Sequence, residues 1–395
     1  MKTKQNLIYF ILSGLLVLNA CKKEEPVTPI PSLLTLPCDY FNTNRVLTDD
    51  TTKAVDYIID CVMEVSANIR IEPGVVIHFT ENAGIIVRSG HLNAVGTEEK
   101  PIVMQGSMNI PGFWRGVYFQ NSSLLNELTY THLIGAGGQA FDSNGDRGTV
   151  IFFGPGKAKI HNSRIERSAH FGLNAPYANC EFDLQNTLFT NCAKAPINIQ
   201  PEYIGLIDPN NSFMSNAENF VAVQLNGGVI EGNKFVKALS IPYRIYQVGG
   251  FYEWLIIQNG VLTTDGPVVF EFTDAIGVSI EPSGGLKAEG TADAKVLFTG
   301  VNNQAGAWRG LYFKNTLQDN RISNAIIEYT GSSFSGDRFA IAMWNSPRLR
   351  VENATFRNIN GCGFLDYNGI DNPNQNLTQT NNSFINITGS EICYP

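Results

Sequence analysis

His161, Arg164 and Arg167 fall within one short stretch, with Glu166 among them and His132 a little upstream. An imidazole and a guanidinium beside a carboxylate can move a proton and hold an anion, the equipment for acid–base work on a uronic acid. The same residues also suit an ordinary solvated face with scattered charges. Asp142-x-Asn144-x-Asp146 has the opening spacing of a calcium loop, but the sixth position is Arg147 instead of Gly and the distal Glu is missing. Asp146-Arg147 recurs as Asp337-Arg338, and Arg115 recurs as Arg309 inside a shared Trp-Arg-Gly. Duplicated charges suit either a ligand or partner site present twice or a local Asp–Arg pair that stiffens a turn. Trp114 and Trp308 suit corners packed by an indole, with exposed platforms for the apolar faces of sugars as the alternative. No G-x-S-x-G, no H-E-x-x-H and no phosphate loop occurs. No metal or cofactor is expected.

The elements that position these residues follow from two repeats. The long one pairs Leu92-Asn93-Ala94-Val95-Gly96-Thr97 with Leu286-Lys287-Ala288-Glu289-Gly290-Thr291, and Trp114 to Phe119 with Trp308 to Phe313, 194 residues apart. Thirteen of thirty positions between 92–121 and 286–315 are identical without a gap. Roughly 75–173 and 268–364 are therefore two copies of one unit, and both Asp-Arg loops are expected to leave the same wall. The short repeat is Asn-x-x-(Phe/Ile), at Asn162/Ile165, Asn186/Phe189, Asn210/Phe213, Asn353/Phe356 and Asn381/Phe384, with Gly232/Phe235 as a variant. Its apolar members step by 24, 24 and 22, and later by 28. Short alternating units at this period indicate a β-solenoid, in which apolar residues stack inside and Asn turns the corners. Asn191, Asn358 and Asn386, two places after the anchor, form a second column that suits an Asn ladder. Parallel crossovers should be right-handed.

Ile71-Glu72-Pro73-Gly74-Val75-Val76-Ile77, then Leu92-x-Ala94-x-Gly96-Thr97-x-x-Lys100-Pro101-Ile102, then Trp114-Arg115-Gly116-Val117-x-Phe119, resembles the right-handed parallel β-helix proteins of Bacteroidetes surfaces, within the wider pectin-lyase-like group. The resemblance covers about residues 45–390 and implies an all-β solenoid. It implies no single function, because that group holds lyases, hydrolases, adhesins and scaffolds. Its metal-assisted lyases need acidic residues stacked on neighbouring coils. One place after the anchors the column reads Glu166, Thr190, Met214, Val236, Arg357 and Ile385. Two places after, it reads Arg167, Asn191, Ser215, Lys237, Asn358 and Asn386. Neither stacks carboxylates.

The N-terminus carries an address. Lys2 and Lys4 precede an apolar run from Leu7 to Leu18, and Leu18-Asn19-Ala20-Cys21 follows. This is the layout of an export signal, residues 1–20. Its end resembles the lipobox of bacterial lipoproteins, which implies acylation (palmitate among the acyl chains) of Cys21 and attachment to outer-membrane lipid. Lys22-Lys23-Glu24-Glu25 resembles the signal that sends Bacteroidetes lipoproteins to the exterior face. Residues 21–37, with Pro26, Pro29, Pro31 and Pro37, read as the anchor and an extended tether. Residues 38–395 read as the β-helix domain. Loss of Lys2 and Lys4 takes the formal charge from −8 to about −10, which argues against a nucleic-acid partner.

Six further cysteines in an exported chain suggest disulfides. Cys38 and Cys61 are 23 apart, and Cys362 and Cys393 are 31 apart, each close to one coil. Both pairs would staple an end. Cys180 and Cys192, 12 apart, would have to bond across a turn or the interior. The expected function is a non-catalytic outer-membrane surface module that binds glycan or an outer-membrane protein. The alternative is a polysaccharide lyase or glycoside hydrolase acting on acidic glycan.

Overall fold

The computed structural model describes residues 34–250 and 253–395. The export signal, Cys21, Lys22 to Glu25 and the tether as far as Leu33 lie outside the described residues. The sheets already include Leu34–Thr35, paired with Tyr57–Ile59 inside the stretch read as tether.

Strands of two to six residues recur throughout, and every strand pairing is parallel. One sheet of 13 strands runs from Val62–Val65 to Ser383–Ile387 with one strand per turn, so the chain is a parallel β-helix of about 13 turns. In the first half this shared wall is flanked by an eight-stranded sheet ending at Ser212–Met214 and a six-stranded sheet ending at Glu181–Gln185. In the second half its flanks are a seven-stranded sheet from Ile230–Glu231 and a six-stranded sheet from Lys234–Lys237. A short 3-10 helix, Pro201–Leu206, sits at the change-over.

Alternation puts one residue in two inside, as in Glu181–Gln185, where Phe182 and Leu184 are buried and the acids are not. Equivalent inward residues stack turn on turn. Phe270 stacks on Phe298 at 5.2 Å, Phe356 on Phe384 at 5.0 Å, and Phe189 on Phe213 at 5.8 Å. Burying each such ring contributes roughly 1.5–3 kcal/mol. The left-handed corners are mostly Asn, as expected, although Asn210 of the short repeat is not among them. Asn162, Asn186, Asn353 and Asn381 have φ of 49–53°, and Asn191, Asn358 and Asn386 have φ of 54–56°. Asn386 Nδ2 donates to Asn358 Oδ1 at 2.8 Å, whereas Asn191, expected in the same ladder, follows a strand of the eight-stranded sheet and donates to Thr190 Oγ1.

The long repeat holds at the level of single bonds. Asn126 Oδ1 accepts Leu92 N at 3.0 Å, and Asn320 Oδ1 accepts Leu286 N at 2.8 Å. Yet the copies occupy different walls. The strand Val117–Phe119 is on the shared wall, whereas its equivalent Gly310–Lys314 is on the seven-stranded sheet. Seven pairings along the shared wall lead from Val117–Phe119 to Val296–Gly300, and Gly310–Lys314 is the next strand of the chain. The offset of 194 thus equals seven turns and one wall. The apolar anchors accordingly do not form one column. Ile165, Phe189 and Phe213 are on the eight-stranded sheet, while Phe356 and Phe384 are on the shared wall. Phe235 is 61% exposed, and Val236 is the inward residue of its strand.

Cys38–Cys61 and Cys362–Cys393 are bonded, each with Cα atoms 6.0 Å apart. Cys180 and Cys192 are two separate buried thiols, contrary to the expected third bridge. Cys180 precedes the strand Glu181–Gln185 and Cys192 follows Leu188–Thr190, so they sit at different corners. Burial pushes each thiol up to about 12.

Candidate functional site

The duplicated charges are not Asp–Arg pairs. Asp337 Oδ2 instead accepts the Tyr367 hydroxyl at 2.6 Å, tying its loop to the next turn. Tyr177 is the corresponding neighbour of Asp146, whose Oδ2 is buried without a hydrogen-bond partner. Burial, and secondarily Asp142, hold the Asp146 carboxyl above the usual range. Arg147 and Arg338 are exposed. The Asp146 loop leads from the eight-stranded sheet to the shared wall, and the Asp337 loop leads from the shared wall to the seven-stranded sheet. The expectation that both loops leave one wall is therefore corrected, and the one-wall offset is the reason.

Arg115 donates from Nε to Asn82 O at 2.9 Å and from Nη1 to Ala140 O, so it pins two backbone segments. Arg309 pairs with Glu253 at 2.5 Å and lies over the rings of Trp254 and Phe334. Trp114 and Trp308 are fully buried corner residues, stacked on Phe79 at 4.1 Å and on Phe272 at 4.2 Å. Their indoles donate to Ile134 O and Glu328 O, so neither is a sugar platform.

The histidine cluster is split between walls. His132 and Arg164 are register partners on the eight-stranded sheet, and Arg164 pairs with Glu166 at 2.8 Å. His161 lies on the adjacent six-stranded sheet, 2.8 Å from Asp183. Arg167 is a left-handed corner residue with φ of 53°. Burial, then Arg164, lowers the pKa of His132. Of the calcium-like loop, Asp142 is engaged by the Tyr118 hydroxyl at 3.0 Å and by Asn144 N at 3.0 Å. Among the described residues, the group with three ligating side chains close enough for one metal is Cys38, Asp60 and Cys61, whose cysteines are disulfide-bonded.

A larger feature lies on the outer face of the shared wall. Its strands there are β1 (Gly148–Phe152), β2 (Phe171–Ala175), β3 (Ile197–Ile199), β4 (Val221–Leu225), β5 (Tyr243–Gln247) and β6 (Val269–Phe272). One cavity of about 440 Å³ is lined by His170, Phe171, Lys194, Phe220, Arg244 and Tyr246, among others. A second of about 280 Å³ is lined by Asp146, Arg147, Asn174, Tyr177, Asn198 and Gln224, among others. Both include His170 and Phe171, so they run together as one groove. From the Asp146 loop to Thr273 after β6 it crosses six turns, about 24 Å at the usual strand spacing.

The groove floor is built by register. Asn174 of β2 pairs with Asn198 of β3, then Ala222 of β4, Arg244 of β5 and Glu271 of β6. Asn198 Nδ2 donates to Asn174 Oδ1 at 2.8 Å and to Gln224 Oε1 at 3.1 Å, and the Tyr246 hydroxyl donates to Asn198 Oδ1 at 2.7 Å. Asn174 Nδ2 is spent on Arg147 O at 3.1 Å. Although outward-facing, Asn174 and Asn198 are only 3% and 1% exposed, so the row is rigid. Beside it, Phe220, Ala222, Ala195, Phe171 and Tyr246 make an apolar cluster. Arg244 lies 3.8 Å over the Phe220 ring and is held by Glu271 at 2.7 Å.

At the equivalent place the second copy carries different outward residues. The positions of Phe171 and Asn174, 191 residues on, are Cys362 and Leu365. Cys362 is bonded to Cys393, and Leu365 packs with Tyr312, Phe339 and Ala342. Of the residues singled out from sequence, Asn144, Asp146 and Arg147 line the groove. His170, Phe171, Asn174, Tyr177, Asn198, Phe220, Gln224 and Tyr246 escaped notice. Asn174 and Asn198 are 24 apart, the step of the short repeat, and following outward columns at that step would have found them. Comparison of the chain with models of protein families, with curated proteins and with solved structures gives no match.

Proposed function

We propose that the protein is a lipid-anchored surface module of the outer membrane whose β-helix binds an extended glycan along the groove of the shared wall. The observation that carries this reading is the fixed row Asn174, Asn198, Gln224 and Tyr246 beside an apolar floor. Sugar rings offer apolar faces that stack on aromatic side chains and hydroxyls that need oriented polar partners. Gln224 Nε2 has no acceptor among the described residues and would serve as one such donor. Successive turns repeat at about 4.8 Å, a spacing of the same order as successive rings of an extended polysaccharide. The lipobox-like Cys21 and the charged residues after it support the surface location. The test is a glycan array probed with the wild type and with Tyr246→Ala. Retention by one polymer class that a still-folded Tyr246→Ala loses supports the reading. Retention that Tyr246→Ala leaves intact refutes it.

A second reading is cleavage of an acidic glycan in the same groove. It is favoured by Asp146, a carboxyl held above its usual range beside Tyr177. Incubation with each retained polymer, followed by an assay for new chain ends, decides between binding and cleavage.

A further inference from the structure

We propose that the groove contains, at Arg147, His170 and Lys194, a subsite for an anionic group, a carboxylate or sulfate ester carried by the bound glycan. The proposal rests on the glycan-binding reading above. The three side chains come from the loop before β1, the turn before β2 and the turn before β3, and they line the two cavities that meet at His170. Arg147 is exposed and belongs to none of the ion pairs formed among the described residues around the groove. Lys194 is paired with Glu218 at 2.9 Å, but both side chains are partly exposed. Such a pair contributes little and can exchange partners. Arg244, by contrast, is tied to Glu271 and to Phe220, so it shapes the floor.

The electrostatics at His170 agree with the geometry. Burial first, then the charges of Arg147 and Lys194, depress its pKa, with the Arg147 backbone and then Glu218 acting in the opposite sense. The ring stands edge-on to Phe171 at 4.6 Å, and its Nδ1 is buried without a hydrogen-bond partner. The lining of the two cavities sets Arg147, Lys194 and Arg244 against Asp146 and Glu218; Lys194 and Arg244 are each paired with a carboxylate, which leaves Arg147 as the guanidinium open to an anion in a chain of formal charge −8. Arg147 supplies the planar fork that suits a carboxylate or sulfate, and Lys194 supplies a point charge.

Matched polymers test the subsite: polygalacturonate against its methyl ester, and dextran sulfate against dextran, with the full soluble chain immobilised. The charged member of at least one pair is expected to bind about tenfold tighter or more than its neutral partner. The pair that discriminates identifies carboxylate or sulfate. Arg147→Gln and Lys194→Gln should each erode the preference without altering thermal unfolding, while Tyr246→Ala should weaken charged and neutral members alike. Equal binding of charged and neutral members, or an undiminished preference in Arg147→Gln, overturns the subsite and leaves the groove reading intact. Failure of every polymer here and on the array overturns both.

Discussion

Removing the side chain of Asn320 should cost far more than removing that of Asn386, although both are solenoid asparagines. Asn320 is 1% exposed. Its Oδ1 accepts Leu286 N at 2.8 Å, and its Nδ2 donates to Arg348 O at 2.8 Å and Gln318 O at 3.0 Å. It therefore ties three successive turns together. Asn320→Ala leaves at least two backbone groups, Leu286 N–H and Arg348 C=O, without partners. Each buried orphan costs about 1–3 kcal/mol, so the loss should be roughly 2–6 kcal/mol. Asn126 makes the equivalent bonds to Leu92 N and Lys157 O, and Asn126→Ala should cost a similar amount. Asn386→Gly keeps a residue suited to φ of 54° and removes one exposed bond to Asn358, so its cost should stay within about 1 kcal/mol.

Urea unfolding measures the losses, and hydrogen exchange read by mass spectrometry locates them. A solenoid turn contacts mainly its neighbours. Asn320→Ala should accordingly speed exchange in Gly284–Glu289, Asn320–Ser323 and Leu349–Glu352, leaving Val62–Val65 and Gly84–Val87 unchanged. Equal costs for Asn320→Ala and Asn386→Gly would refute the role given to buried amides. Exchange changes spread over both halves would refute the turn-by-turn register.

Non-reducing peptide mapping should recover Cys38–Cys61 and Cys362–Cys393, with Cys180 and Cys192 alkylated only after unfolding; replacing Cys362 and Cys393 by Ser should cost about 2–4 kcal/mol in urea unfolding. Asp337→Ala removes the acceptor of the Tyr367 hydroxyl and should cost roughly 1.5–3 kcal/mol, with glycan binding unchanged on the array. Asp146, whose carboxyl is raised in the folded state, stabilises the fold most below its unfolded value of 3.8, and this contribution is lost as pH rises through the raised value. Asp146→Asn should therefore melt above the wild type at neutral pH, and the gap should close as pH falls toward 4. Cys21→Ala should move the protein from the membrane fraction to the soluble fraction, and neutral replacements of Lys22 to Glu25 should lower its protease accessibility on intact cells.

The corners and the bridges were legible because each is a local constraint. Asn162 and Asn386 signal left-handed corners from their own residue type, and a bond one turn long needs only the spacing of Cys38 and Cys61. The wall on which a motif falls is not local. Residues 165, 189 and 213 step by whole turns, but turns of unequal length accumulate a phase that spacing does not reveal. Phe235 fits the pattern by one residue too few, and its strand turns Val236 inward instead. The groove was hidden for a related reason. Outward residues on a strand face obey no hydrophobic period, and Asn174, Asn198 and Tyr246 become a site only through register across three turns.

The loop before β1 accounts for where the groove begins. In the first copy the loop before β1 folds over the shared wall, where Phe141 stacks on Tyr118 at 5.2 Å and closes an apolar cluster with Ile86 and Ile151. In the second copy the equivalent loop covers the next wall, where Phe334 packs near Tyr312 at 6.0 Å. Had the copies been separated by whole turns, both loops would have covered the shared wall, and its outer face would carry two apolar clusters. The Phe141 cover of the shared wall ends at β1, and the second copy's Phe334 lies against the seven-stranded sheet instead. From β2 to β6 its outer residues must satisfy themselves, and they do so with an amide row, an aromatic floor and a charged rim. An uncovered wall of a β-helix bounded by a loop on one side is a groove.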